Sequence, residues 1–450
     1  MSIYSLLTRA CRLSLAFACL IGTFATAEIA LGEDASPQQV SRLLKKLDAK
    51  SRQQRLAAEA ELLKLGPAIL DSLPPPDLLP NASVREAVRR LRTQLERTAA
   101  EESIRASHVT LTGELTIREI VAAISDQTGN NVVCAATDGQ PTNPDGFEQN
   151  LTVDWKDEPF WEAIIKMEAA GFRAEFLPDE QSLTLSPAAS NLRVIERQTT
   201  LHQAFRLEAL PVEQRKIDGT DNVLVRVPLR ILCEPRLRPL FLRCSMSDWS
   251  LVAGTERLSP FSPGSRVEIP LGDGGREAKL ELSFLAPSAA SLSRNLALVG
   301  RLTLLTAALE REITFPMLAE AEGLTRRRGG VTVTVSKAQF SGPDAGSHSA
   351  RIATQIGYDS GAKAFESHQT WIFHNRVFLR DLKGNEYPAN DGFSTLFQGD
   401  GAVGVEHRFS SLPKSPAEWQ FTYVAPTLLI DVPLEVQIDG IPVAGDSKLQ

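Results

Sequence analysis

Cysteine is scarce in this chain, and so are long apolar runs, basic patches and catalytic signatures. Five cysteines stand in 450 residues, far below the density of a scaffold built on disulfides. Beyond residue 27 no apolar run reaches the ~20 residues that a membrane-spanning helix needs. Lysine and arginine number 48 against 55 aspartates and glutamates, a formal net charge of −7. The broad basic footprint of a nucleic-acid-binding protein is therefore missing. The one basic run, "TRRRGG" at Thr325 to Gly330, reads as a solvated turn ahead of the strand "VTVTV". No G-x-S-x-G elbow, H-E-x-x-H, C-x-x-C or Walker motif occurs, so the best-marked hydrolase, zinc-protease, redox and nucleotide chemistries have no sequence support. No catalytic residue, cofactor or metal site is expected.

What the chain does carry begins with an export pattern. Arg9 and Arg12 precede "LSLAFACLIGTFATA", a short apolar centre ending in small residues at Ala25 to Ala27. A basic start, a greasy middle and an A-x-A exit predict a cleaved signal over 1–27, and so a periplasmic, secreted or surface location without a transmembrane span. Its removal takes Arg9 and Arg12 away, moving the charge from −7 to −9, and leaves three of the five cysteines. Hydrophobic content of 43% with 23% charged residues predicts folded structure, too long for one core.

Residues 37–106 read as helices. "SRQQRLAAEAELLKLGPAIL" runs until Gly66-Pro67 stops it. In "ASVREAVRRLRTQLER" Val84, Val88, Leu91 and Leu95 form one apolar stripe, and Glu86 stands four residues ahead of Arg90 for helix-surface pairing. The short helices and "LLKLGPAIL" are similar to HEAT-type helical repeats over one and a half units, which implies a small helical cap rather than a solenoid.

A strand-helix-strand unit follows in "VTLTGELTIREIVAAISDQTGNNVV", Val109 to Val133. Thr116 and Glu119 form a T-x-x-E capping box, Leu115 and Ile120 a hydrophobic staple, Ile117, Ile120, Val121 and Ile124 a buried stripe, and Gly129 a stop. A relative returns 42 to 43 residues later as "LTVDWKDEPFWEAIIKMEAAGFRAEF". There Asp157 or Glu158 is the expected cap, Pro159 lies in the first turn, and Trp161 is placed at the edge of the packed face. This arrangement, with its "QTG" turn, resembles the short N-terminal (STN) domain of secretins and TonB-dependent receptors over residues 107–187. The resemblance implies a periplasmic docking module and leaves its partner open.

From Phe205 onward the pattern is alternating strands. Sandwich-like spacing predicts one β-sandwich over 198–322 and a second, immunoglobulin-like one over 330–450. The expected fold class is thus multidomain α+β: a small helical region (37–106), an STN-like βαβ-βαββ domain (107–190), then two antiparallel β-sandwiches. Cys233 and Cys244 lie symmetrically about Arg238–Pro239. A hairpin turning there would set them opposite each other, as buried free thiols or as a cross-strand disulfide, with Cys134 left alone.

Other chemistry-bearing residues read as structure. "GDGAVG", Gly399 to Gly404, is followed by a strand instead of a helix, so it is a hairpin turn rather than a dinucleotide loop. His368 and His374 share a face but stand roughly 20 Å apart, too far to share an ion. His407 sits on the apolar face between Val405 and Phe409 and is expected as a core histidine. Trp371 is placed facing the core, while Trp249, in "MSDWSL", is the candidate ligand contact. The expected function is a non-catalytic docking or structural role in a bacterial envelope, with an envelope protein as partner. The alternative is a carbohydrate-binding or carbohydrate-processing surface protein.

Overall fold

The computed structural model describes residues 36–76, 79–134, 147–177, 182–188, 197–271, 275–288, 296–328, 330–344, 347–358, 372–373, 375–399 and 401–444. The export segment 1–27, His368, Trp371 and His374 lie outside the described residues. The chain divides into two compact units, 1–92 and 93–450.

The first unit is helical. α1 (Pro37–Lys46) starts at Ser36, whose hydroxyl accepts from the Gln39 amide. α2 (Arg52–Lys64) ends at Gly66, which takes φ 73° before Pro67. α3 (Ala82–Ser103) opens in this unit and continues into the next. Val84, Val88, Leu91 and Leu95 are all buried, the stripe expected from their spacing. The expected Glu86–Arg90 pair is not formed. Glu86 pairs with Arg89 at 2.9 Å, while Arg90 reaches Glu59 on α2 at 3.1 Å, since a partner on a neighbouring helix outcompetes one a turn away.

The second unit opens with the order β-α-β-β-α-β-β: β1 (His108–Thr116), α4 (Ile117–Thr128), β2 (Val132–Cys134), β3 (Asn150–Pro159), α5 (Phe160–Ala169), β4 (Phe172–Phe176) and β5 (Leu183–Pro187). The capping box forms as expected, with the Glu119 amide donating to Thr116 Oγ1 at 3.2 Å and the Thr116 amide donating to Glu119 Oε2 at 2.8 Å. Gly129 closes α4 in the left-handed region at φ 68°.

The two halves do not build separate sheets. β1 pairs with β3 antiparallel, and β2 joins β5 in parallel, with β4 antiparallel on β5's other side. First strands pair with first, last with last, and α5 packs on β1 of the first copy as well as on β3 and β4 of its own. The cap of α5 differs from expectation. Pro159 is its N-cap, and the Phe160 amide donates to the Ser107 carbonyl at 2.8 Å, so neither Asp157 nor Glu158 is needed. Trp161 lies deep in this core and not at its edge, its indole N–H donating to the Ala204 carbonyl at 3.1 Å.

Beyond it the chain is strand. β6 (Gln198–His202), β7 (Phe205–Ala209), β8 (Glu213–Lys216), β9 (Val223–Cys233), β10 (Arg238–Ser245), β11 (Ser250–Ala253), β12 (Glu256–Leu258), β13 (Arg266–Pro270), β14 (Glu277–Ala286) and β15 (Leu296–Phe315) come first. They are followed by β16 (Thr325–Arg328), β17 (Val331–Asp344), β18 (Ser347–Tyr358), β19 (Val377–Arg380), β20 (Glu386–Pro388), β21 (Phe393–Gln398), β22 (Ala402–Leu412) and β23 (Gln420–Ile441). "TRRR" is therefore a strand, β16, paired with β17 and at the end of its sheet among the described residues, and not the turn expected.

Two sandwich cores are present, but they are not the self-contained 198–322 and 330–450 halves expected. β15 and β23 pair along their length, from Leu296 opposite Ile441 to Phe315 opposite Phe421. Leu298, Leu302, Leu304, Val432, Leu434 and Val436 pack into one core against the sheet β14-β9-β7-β6. Ile313, Phe315, Phe421 and Tyr423 pack into the other against β16-β17-β18-β22-β21. The register slips between Ala307 and Glu310, where the buried set changes from even-numbered to odd-numbered residues, because a slip of one residue exchanges the faces of a strand. One eight-stranded sheet thus backs both cores, and the end of the chain completes the first. Pairing over that sequence distance leaves no local signal.

Candidate functional site

The residues singled out in sequence prove structural. Trp249 is only 2% exposed and its indole lies on Gly300, where an added Cβ would stand 2.3 Å from the ring. It fills the first core and cannot stack on a ligand. The hairpin expected about Arg238–Pro239 is absent. The chain turns earlier, with the Leu237 amide donating to the Glu234 carbonyl at 2.9 Å, and passes from one sheet to the other. Arg238 and Pro239 already lie in β10, opposite Ala307 and Thr306. Cys233 and Cys244 therefore sit on strands of different sheets as buried free thiols, not as a disulfide, and Cys134 is also free. Burial pushes Cys233 up to about 12 and Cys244 up to about 11, so neither is a nucleophile.

His407 is buried, its Nε2 3.3 Å from Thr354 Oγ1, and burial pushes its pKa down to about 4. Gly399 and Ala402 close the β21–β22 hairpin, amide to carbonyl, at 3.0 Å. Among the described residues no group of three His, Cys, Asp or Glu side chains is placed to hold a metal ion.

Two buried carboxylates were not anticipated. Glu234, fully buried, accepts from the Ser107 amide at 2.9 Å, the Ser107 hydroxyl at 2.7 Å, Asn130 Nδ2 at 3.2 Å and Arg236 Nε at 2.6 Å. Arg236 in turn donates to the carbonyls of Ser103 and Arg105. Glu208, 1% exposed, pairs with Arg197, Arg206 and Arg230 at 3.2, 2.6 and 2.9 Å, and Arg206 continues to Glu168 on α5 at 2.8 Å. Burial alone would raise Glu277, but the Arg230 guanidinium beside it holds its carboxyl below the usual range. Such networks bear on stability and register because a buried charge without partners is costly. They tie the α+β module to the first sandwich, and Glu168, Glu208, Glu234 and Glu277 line none of the hollows described below. Their sequence signal was a charge inside an apolar strand, "FRLEAL" and "LCEPR".

Among the described residues, three shallow hollows and one strand bear on a site. A cleft of about 320 Å³ on the outer face of the large sheet is lined by Arg243, Asp248, Arg266, Glu268, Arg301 and Thr303. Arg301 pairs with Asp248 at 3.0 Å and Arg243 with Asp431. A groove of about 370 Å³ runs between Ala100 of α3, Ile104 just beyond it, and Leu428 and Ile430 of β23. A hollow of about 270 Å³ on the outer face of the second sandwich is lined by Thr332, Thr334, Gln355 and Gly357.

The strand is β21. Among the described residues it ends its sheet, next to β22, and its sequence Phe-Ser-Thr-Leu-Phe-Gln carries no charge. Phe393, Leu396 and Phe397 are 43%, 51% and 46% exposed. They are held in place. Phe393 stacks on Phe373 at 5.7 Å, and Phe397 lies over Gly404, where a Cβ would come within 2.4 Å of its ring. A register slip at Leu396 turns that side chain outward.

The other described edges are guarded or covered. β16 bears three exposed arginines; β8, β13 and β14 carry charges; β12 and β20 are three residues long; β6 packs on β23. Charge, shortness and cover are how sheet edges are normally kept from pairing. β21 carries no charge and has instead a bulge at Leu396, another device that interrupts edge pairing.

Comparison with known proteins names no family: no family model and no curated protein matches the chain. One solved structure is the crystal structure of a presumed lipoprotein of Bacillus subtilis, at 13% identity and a TM-score of 0.16. The match covers 25% of this chain and 34% of that one, about a third of its length, and carries no argument about fold or function.

Proposed function

We propose that this is an exported envelope protein with a non-catalytic docking or structural role. In this reading residues 107–190 form an STN-like module, and the twin sandwich presents the docking edge. The observation that carries the proposal is β21, an uncharged strand with exposed Phe393, Leu396 and Phe397 that ends its sheet among the described residues, because exposed apolar side chains on such a strand suit the capture of an extended segment. No helix among the described residues is long and apolar enough to cross a membrane. The test is photo-cross-linking in the native envelope from position 395, with position 328 on the charged edge as control. Adducts from 395 but not from 328 support the role; none from either sinks it.

A carbohydrate-binding reading rests on a different feature, the neutral Thr332, Thr334, Gln355 and Gly357 hollow, since Trp249 is buried. A glycan array in which binding is abolished by Gln355→Ala would move the assignment there.

A further inference from the structure

We infer that the outer face of β17, β18 and β22 binds a neutral glycan chain, with Phe397 as its stacking platform and Gln355 and Thr334 as its polar contacts. The inference rests on the carbohydrate reading of the neutral hollow and gives that hollow the aromatic wall which buried Trp249 cannot supply.

Phe397 reaches this face because β21 is irregular. Phe393 stands opposite His407 and Thr395 opposite Val405, and both partners are buried in the second core. A regular strand would set residue 397 opposite Val403, on that same side. The slip between Thr395 and Phe397 sets it opposite Gly404 instead, and a slip of one residue exchanges the faces of a strand. Gly404 completes the arrangement. A Cβ there would come within 2.4 Å of the Phe397 ring, so a side chain at this position would push the ring away. Bulges and strand glycines each weaken a ladder. Here their joint effect is to seat on the sheet a ring that is still 46% exposed.

The ring's neighbours are neutral and polar. Gly404 stands opposite Gln355, and Gln355 opposite Thr334. Ring, amide and hydroxyl thus form a row across three strands, about 10 Å from first to last. Thr334 is oriented by Thr325, oxygen to oxygen at 2.8 Å, and Gln355 is exposed. The hollow of about 270 Å³ beside them opens over Thr332 and Gly357 and has no charged residue in its lining. A pyranose presents a face of C–H groups and a rim of hydroxyls. The face suits an aromatic ring, and the rim suits side-chain amides and hydroxyls, which donate and accept. An anionic chain finds no cation in the hollow, and an apolar segment would cover Gln355 and Thr334 without giving them partners.

The test is an array of neutral hexasaccharides of glucose, mannose and N-acetylglucosamine beside uronic-acid chains, probed with the chain from Glu28 onward. Calorimetric titration of the best hexasaccharide follows. Expected is binding whose Kd rises about tenfold or more in Phe397→Leu and is held in Phe397→Tyr, with circular dichroism unchanged in both. Phe397→Leu keeps an apolar cover on Gly404, so a ring that only shields the strand would leave the affinity unchanged. Binding abolished by Gln355→Ala but indifferent to Phe397→Leu therefore overturns the platform and leaves the hollow as the carbohydrate site. Binding of uronic-acid chains alone overturns the neutral class. No binding to any glycan removes both readings of this face, while cross-linking from position 395 judges the docking role separately.

Discussion

Asn130 Nδ2 donates to Glu234 Oε2 at 3.2 Å across 104 residues of sequence, joining the turn after the first module helix to the exit of β9. The same carboxylate takes the Ser107 amide and hydroxyl and the Arg236 guanidinium. One buried side chain therefore fixes where the α+β module meets the first sandwich. Glu234→Ala takes one acceptor each from Arg236 and Asn130, which keep the Ser103 and Arg105 carbonyls and Ser107 Oγ, so the cost falls below the about 3–5 kcal/mol of a buried pair broken outright. The expected outcome is a clear fall in the urea midpoint, smaller for Glu234→Gln, which keeps the shape and one acceptor. An unchanged midpoint in Glu234→Ala would show that the joint does not depend on this carboxylate.

Gly300 is a glycine because Trp249 lies on it. A methyl group there would come 2.3 Å from the indole, and both sides are packed strand, with Ser250 opposite Val299. Overpacking of a filled core costs about 1–3 kcal/mol. Gly300→Ala is expected to lower the melting temperature, with Trp249→Phe in the same chain recovering part of the loss by yielding ring area. Equal melting of the two variants would mean the indole moves freely, contrary to its burial.

Local features were legible in the sequence because their causes are local. The Thr116–Glu119 box, the Gly129 stop and the Val84, Val88, Leu91 and Leu95 stripe all follow from spacings within a few residues. Strand partnership is set elsewhere. Val432 to Ile438 complete a core whose other strands lie some 130 to 230 residues upstream, and nothing within β23 announces it. The Cys233–Cys244 hairpin failed for the same reason: symmetry about Arg238–Pro239 is also compatible with a chain that turns at Glu234 and changes sheet. At β21 the missing charge was readable in "FSTLFQ", but its meaning required knowing that this strand ends its sheet.

His407 gives the fold a pH dependence of definite sign. Its pKa is pushed from 6.5 down to about 4 by burial, so the folded state holds the neutral ring over a range in which the unfolded chain binds a proton. Above pH 6.5 the group is neutral in both states and costs nothing. Between about 6.5 and 4 the unfolded state takes up the proton and stability falls with decreasing pH, by an amount on the order of 3 kcal/mol at full effect. Denaturation midpoints measured from pH 7 to pH 4 should decline in the wild type, and decline less in His407→Gln. Parallel curves for the two proteins would assign the slope to other groups.

Three thiols remain once the first 27 residues are set aside, and their environments differ. Cys233 is pushed up to about 12 and Cys244 to about 11, in both cases chiefly by burial, while half-buried Cys134 is raised by burial against the Arg118 charge. Alkylation proceeds through the thiolate, so iodoacetamide at pH 8 should modify the folded chain slowly and at Cys134 first. Cys233 and Cys244 should react only as fast as the protein opens. In urea without reductant all three should label, because no disulfide holds two of them. Mass spectrometry separates the outcomes: three labels in urea match free thiols, whereas one label that becomes three only after reduction would restore a Cys233–Cys244 bond and require β9 and β10 to approach more closely than their separate sheets place them.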